Sequence, residues 1–170
     1  TVIRATCVWN GAGKDDNWSN PANCAAGIVP PTNHPVLIDG EDGGNALVIL
    51  DVDQSPQNQR VTVEAGNTLT VGAGVTLRVR QPGGSLINRG TVVIANQGSM
   101  ERDDLGIVDN TAGVVSKDCR GHAPVLGVTG NDVVIEPCYW DGAGSTNNWS
   151  EAANWDSDSI PTPDDPVLIG

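Results

Sequence analysis

Three features of the sequence converge on an all-β chain wound as a β-solenoid: apolar residues that are mostly β-branched, short alternating stretches at even spacing, and turn residues scattered between them. Val supplies 21 of the apolar positions, Phe is absent and Met occurs once. A core of such residues favours strands, because branching at Cβ restricts χ1 in a helix and packs well on a pleated surface. The 21 Gly and 11 Pro are spread along the whole chain and read as turns between short strands, not as a disordered linker.

The alternation runs through Leu47 and Ile49, Val61 and Val63, Leu69 and Val71, Leu77 and Val79, and less regularly Leu86, Val92 and Ile94. Three of these pairs recur every eight residues, separated by Ala65-Gly66-Asn67 and Gly72-Ala73-Gly74, which are turn material. Even spacing suits a β-solenoid, in which each strand supplies one side of a coil and stacks its inward residues on the coil below. An antiparallel β-sandwich accepts the same spacing and is the alternative. No helical periodicity competes.

The two ends of the region are copies of one another. Residues 7–38 and 138–169 align without a gap, and fifteen positions are identical, among them Trp9/Trp140, Gly11/Gly142, Gly13/Gly144, Asn17/Asn148, Trp18/Trp149, Ser19/Ser150, Asn23/Asn154 and Pro30/Pro161. The chain therefore divides into a tryptophan-motif cap or junction over 1–40, a short-strand solenoid or sandwich over 41–137, and a second motif over 138–170 that opens a second repeat. In the first copy Pro35, Val36, Leu37 and Ile38 run on into further β pattern, whereas Pro166, Val167, Leu168 and Ile169 are followed here only by Gly170. A strand at an open edge is a template for pairing, so 138–170 is expected to meet a neighbouring subunit or the next repeat, anchored by Trp140, Trp149 and Trp155.

These residues carry a resemblance. The pattern W-x-G-x-G-x3-N-W-S-x2-A-N-W resembles a segment found, often in tandem, in large secreted and cell-surface bacterial proteins of adhesin-like, β-solenoid-like architecture. The likeness is close over both motif copies and general over 45–115. It implies a surface location and a structural or adhesive role, and it brings no catalytic residues. The first copy departs from the pattern in placing Cys24 where the second keeps Trp155.

Four cysteines allow three pairings. Because Cys24 has no counterpart in the second copy, Cys7 with Cys24 is a private pair and Cys138 is left for Cys119. Zinc is the rival use, but no C-x2-C spacing occurs. Trp9 and Trp18, set among glycines, either plug the open end of a solenoid or offer indole faces to a surface glycan, and the scarcity of other aromatics favours the plug. Asn17, Ser19 and Asn23 are expected to bond nearby backbone and hold the loop.

Other chemistries find little support. A net charge of −12 with nine Lys plus Arg repels a phosphate backbone, so nucleic acid is a poor partner. No run of apolar residues is long enough to insert in a membrane as a helix. The chain opens at Thr1 without a basic stretch leading into an apolar run, so any export signal is expected to be removed or to lie outside it. Asp156, Asp158, Asp164 and Asp165 are oxygen ligands suited to Ca2+, but the aligned residues of the first copy are Ala25, Gly27, Asn33 and His34, so calcium is not favoured and no cofactor is expected. His34 and His122 are the only histidines, and His34 becomes Asp165 in the second copy, which argues against a catalytic base. Polysaccharide-active β-helices are a remote alternative, but Arg78, Arg80, Arg89 and Arg102 make no clear basic cleft. Asn17 and Asn148 each begin an N-x-S glycosylation pattern of low specificity. The expectation is an extracellular, non-enzymatic building block of a fibre, sheath or adhesin stalk, joined to copies of itself or to adjacent repeats, with a carbohydrate-binding module as the alternative.

Overall fold

A computed structural model describes residues 6–40, 45–54, 60–80, 83–103, 105–120 and 128–170. The chain is nearly all β, and its parallel sheets stack as a β-solenoid of about 3 turns. One sheet is built from β1 (Cys7–Val8), β2 (Val36–Ile38), β4 (Arg60–Val63), β7 (Ser85–Asn88), β10 (Ile107–Asn110) and β12 (Val128–Gly130), side by side in that order. A second holds β3 (Leu47–Leu50), β5 (Thr68–Val71), β8 (Thr91–Ile94), β11 (Val114–Lys117) and β13 (Val133–Ile135). The third side is β6 (Thr76–Val79) with β9 (Ser99–Arg102), extended by a bridge from Gln54 to Leu77. Every pairing between these strands is parallel, which separates the fold from an antiparallel sandwich.

The eight-residue spacing of Val61, Leu69 and Leu77 is the walk around one coil, since these residues sit on β4, β5 and β6, the three sides in turn. Each then stacks on its equivalent in the next coil: Val61 on Leu86, Leu69 on Val92 and Leu77 on Met100. All six are buried, and each aliphatic side chain so enclosed contributes about 1.5–3 kcal/mol from apolar burial. The period-2 alternation thus has a direct cause: alternate side chains enter the coil and the others face outward.

One stretch is out of phase with the sequence reading. In β3 the inward residues are Val48 and Leu50, while Leu47 is 44% exposed. All four residues of this strand are apolar, so alternation cannot choose a face. The register does, by pairing Val48 with Leu69 and Leu50 with Val71.

Two inward positions are polar. Asn88 and Asn110 stack in the column begun by Ile38 and Val63 and are fully buried. The Asn88 Nδ2 group donates to Asn110 Oδ1 at 2.8 Å and to the Val114 carbonyl at 2.8 Å, and Asn110 donates to the Asn131 carbonyl at 3.0 Å. This side-chain ladder adds to the backbone bonds that tie the corner between the first two sheets, where the Arg89 amide donates to the Val63 carbonyl and the Val114 amide to the Gly90 carbonyl. Gly113 is required beside it, because a Cβ there would lie 2.5 Å from the Asn88 amide.

Toward the C-terminal end the apolar column Leu50, Val71, Ile94 passes to Lys117. Its ammonium lies 3.8 Å from Asp165 of the second motif, and Arg120 reaches the same carboxylate at 3.3 Å. Among the described residues, no helix is long and apolar enough to cross a membrane.

Candidate functional site

The two sequence copies fold alike. In the first, β1 pairs with β2 in the register Cys7 to Val36; in the second, β14 (Cys138–Trp140) pairs with β15 (Val167–Ile169) in the register Cys138 to Val167. Between the strands each copy makes a single 3-10 turn, at Pro21–Asn23 and at Ala152–Asn154. Each then returns antiparallel to its first strand, through bridges Trp9 to Cys24 and Trp140 to Trp155.

A buried asparagine organises the loop in both. Asn23 Oδ1 accepts from the Gly13 amide at 2.8 Å and its Nδ2 donates to the Asn17 carbonyl at 3.0 Å; Asn154 repeats both bonds with Gly144 at 2.9 Å and Asn148 at 3.0 Å. The motif glycines follow from this. A Cβ on Gly13 or Gly144 would lie 2.6 Å from the asparagine oxygen, and Gly11 and Gly142 have φ of +61° and +64°.

Beside the asparagine a donor and an acceptor exchange places between copies. In the first, the Asn20 amide donates to the Asp15 carboxylate. At the aligned positions of the second, the Thr146 hydroxyl donates to Glu151, which also takes the Ser145 hydroxyl at 2.8 Å. Bonds from Asn23 and Asn20 hold the Asp15 carboxyl below its ordinary range. Those from Thr146 and Ser145 lower Glu151 to about 2. With its folded pKa depressed, Glu151 supports the loop above its ordinary pKa and loses that support as pH falls through the folded value. An NMR carboxyl titration is expected to place Glu151 near 2. A midpoint at the ordinary glutamate value would mean that the Ser145 and Thr146 bonds are not made in solution.

The cysteines form two bridges, Cys7 with Cys24 inside the first motif and Cys119 with Cys138 between the last coil and the second motif. Where the first motif has Cys24, the second has Trp155, 1% exposed and in T-shaped contact with Trp140 and Trp149 at ring separations of 5.1 and 4.5 Å. Trp155, expected as part of an outward anchor, is therefore an internal residue whose indole N–H donates to the Trp149 carbonyl at 3.0 Å.

The copies differ most in what covers them. Trp9 and Trp18 are each 1% exposed, their rings 6.4 Å apart in the main core with Val36, Ile38, Val48 and Leu50. That burial withholds both indole faces from a sugar. The covering elements are β3 and β4. The Trp18 amide donates to the Ile49 carbonyl at 2.8 Å, the Ile49 amide to Asp16 at 2.7 Å, and Val36–Ile38 pair with Val61–Val63. Asp51, just past β3, accepts from the Ser19 amide at 2.9 Å and from its hydroxyl. In the second copy the equivalent residues are bare: Trp149 is 47% exposed, Val167 39% and Ile169 62%, against 1% for Trp18, 1% for Val36 and 0% for Ile38. Ser150 is exposed as well. Among the described residues, strand β15 pairs with β14 alone.

The second motif also rests on its own solenoid. Besides the disulfide and the Asp165 pairs, Asn96 donates to the Ser157 carbonyl at 2.5 Å. Burial pushes the Asp165 carboxyl up, but bonds from the Thr162 hydroxyl and amide, with Lys117 and Arg120, outweigh it and leave the group lowered. Asp165 is thus engaged with cations of the chain, while Asp156 and Asp158 line a cleft of about 420 Å³ with Asp118 and Glu136. Asp164 is exposed, so the four candidate calcium ligands are not gathered together. Among the described residues no three His, Cys, Asp or Glu side chains are placed to hold a metal. Arg78 pairs with Glu101 at 2.7 Å and Arg89 with Glu64 at 2.7 Å. His34 lies half-buried in the first motif, and His122 lies outside the described residues.

Ser19 with Asp51 and Asp15 with Asn20 were not legible as pairs, since the first joins positions 32 residues apart. The only sequence signal was that Ser19 is kept as Ser150. Compared with known proteins, the chain matches no family model, no curated protein and no solved structure.

Proposed function

We propose that this chain is a structural building block of an extracellular fibre, sheath or adhesin stalk, and that its units join head to tail through residues 138–170. The observation that carries this reading is the contrast between the two motif copies. Val36, Ile38 and Trp18 are enclosed by a following coil, and Val167, Ile169 and Trp149 stand in the same local fold without one. Enclosing Val167 and Ile169 would contribute about 1.5–3 kcal/mol each, and the open edge of β15 supplies main-chain donors and acceptors for strand addition. A head-to-tail joint whose rotation does not close generates an open filament. Two disulfides support an oxidising, extracellular setting, and the charge of −12 suits a crowded surface. No catalytic step is assigned to the chain.

The test is sedimentation velocity with electron microscopy, on the chain and on a version lacking residues 139–170. The chain is expected to form end-to-end assemblies that grow with concentration, and the shortened form to remain a folded monomer. A chain that stays monomeric at high concentration, or a shortened form that still assembles, contradicts the reading. A glycan screen separates the carbohydrate-binding alternative, in which Trp149→Ala would abolish binding without affecting folding.

A further inference from the structure

The second sheet sets its outward side chains in straight files along the solenoid. One file runs from Leu47 through Thr68 and Thr91 to Val114, each residue paired in register with the next. Beside it a second file runs from Ile49 to Val134 with Val93 at its middle. Leu47, Val114 and Val134 are exposed, and no residue of either file is buried. None carries a charge or an aromatic ring. The other two sides of the coil differ, with Arg60 and Asp109 on the outer face of the first sheet and Arg78 and Glu101 on that of the third.

Charge decides what can cover this face. Two copies of a chain with a net charge of −12 repel one another on most approaches. Through the uncharged side they meet without setting like charges together. Geometry agrees, because a second copy offers the same strand spacing, so its files of short side chains interleave with these as in aligned sheet packing. A sugar ring would look for an aromatic platform that the face lacks.

We infer that solenoids of this chain associate side by side, second sheet against second sheet, about a two-fold axis near Val93. Five strands at a spacing of about 4.8 Å make a face about 24 Å long, and two outward positions per strand make it about 12 Å wide. A pair of such faces covers about 600 Å², half of the roughly 1,200 Å² at which stable interfaces begin. A lone pair in dilute solution is therefore short-lived, and the contact holds where many units are crowded together and each contact raises the effective concentration for the next. Both files end at or before Val134, so the contact uses no residue of 138–170 and does not depend on the head-to-tail reading.

The experiment follows the clustering of beads that carry the full chain densely through a biotin on its amino terminus. Four preparations are compared: unaltered, Val93→Glu, Val93→Lys, and an equal mixture of beads bearing the two variants. Unaltered beads are expected to cluster, and to do so more strongly as added salt screens the net repulsion. Either variant alone sets like charges against each other at the axis and is expected to reduce clustering to the level of bare beads, while the mixture restores it. Net charge cannot produce that rescue, since both variants remain strongly negative. Thr70→Glu, which places an unpaired carboxylate in the contact, is expected to abolish clustering as well, and thermal melts verify that each variant keeps the fold. Unaltered beads that stay dispersed, variants that cluster like the unaltered chain, or a mixture without rescue would overturn the side-by-side contact and leave the head-to-tail reading untouched.

Discussion

Trp18→Ala is expected to destabilise the chain by about 3–5 kcal/mol, the range for deleting a buried indole, whereas Trp149→Ala at the aligned position costs about 1 kcal/mol or less. The two residues occupy the same place in the same motif, and only their surroundings differ. Trp18 is 1% exposed and meets Trp9 and the inward residues of the first coils. Trp149 is 47% exposed and loses mainly its edge contact with Trp155. In a solenoid each coil touches only its neighbours, so the loss at Trp18 opens the structure from the first motif inward. Chemical denaturation should then show an early transition for Trp18→Ala and a single, nearly unshifted one for Trp149→Ala. Equal midpoints for the two variants would contradict the difference in enclosure.

Removing either disulfide is the second large effect. The bridges close loops with sequence separations of 17 and 19, for which the loss of chain entropy in the unfolded state is worth about 3 kcal/mol each. The consequences differ in place. With Cys7 and Cys24 both changed to Ser, the cap over the first coils loosens. With Cys119 and Cys138 both changed to Ser, the second motif is held by Asp165 on Lys117 and Arg120 and by Asn96 on Ser157. Those contacts are few and noncovalent, so proteolysis between the last coil and Cys138 should accelerate while the solenoid itself stays resistant. Peptide mapping without reductant should recover the two linked pairs and no free thiol. A Cys7 to Cys119 link would overturn this arrangement.

The sequence made some of this legible because its signals are local. Eight-residue spacing marks β4, β5 and β6, since each turn between them is short and carries Gly. The motif repeat is visible because one asparagine and two glycines must be kept for the loop to close around Asn23 and Asn154. Cys24 stood out as private, and that asymmetry gave both bridges. What escaped is set by contacts between coils. The face of β3 depends on Leu69 and Val71 across the sheet, which four consecutive apolar residues cannot reveal. Asn88 and Asn110 interrupt the apolar alternation, and their value lies in bonding each other across 22 positions. Lys117 breaks its column because Asp165 waits beyond it. Trp155 reads from the sequence as an outward anchor, yet it lies inside its motif where the first copy has Cys24.

The central claim is that one motif occurs twice in the same local fold, closed at one end of the chain and open at the other. Its most direct measurement is solvent paramagnetic relaxation, with a soluble gadolinium probe added to the isotopically labelled chain in dilute solution. Strong broadening is expected at the Val167 and Ile169 methyls and the Trp149 indole, with none at Val36, Ile38 and Trp18. Comparable broadening at the two sets, or protection of the second set in a chain that is monomeric under the same conditions, would contradict the account.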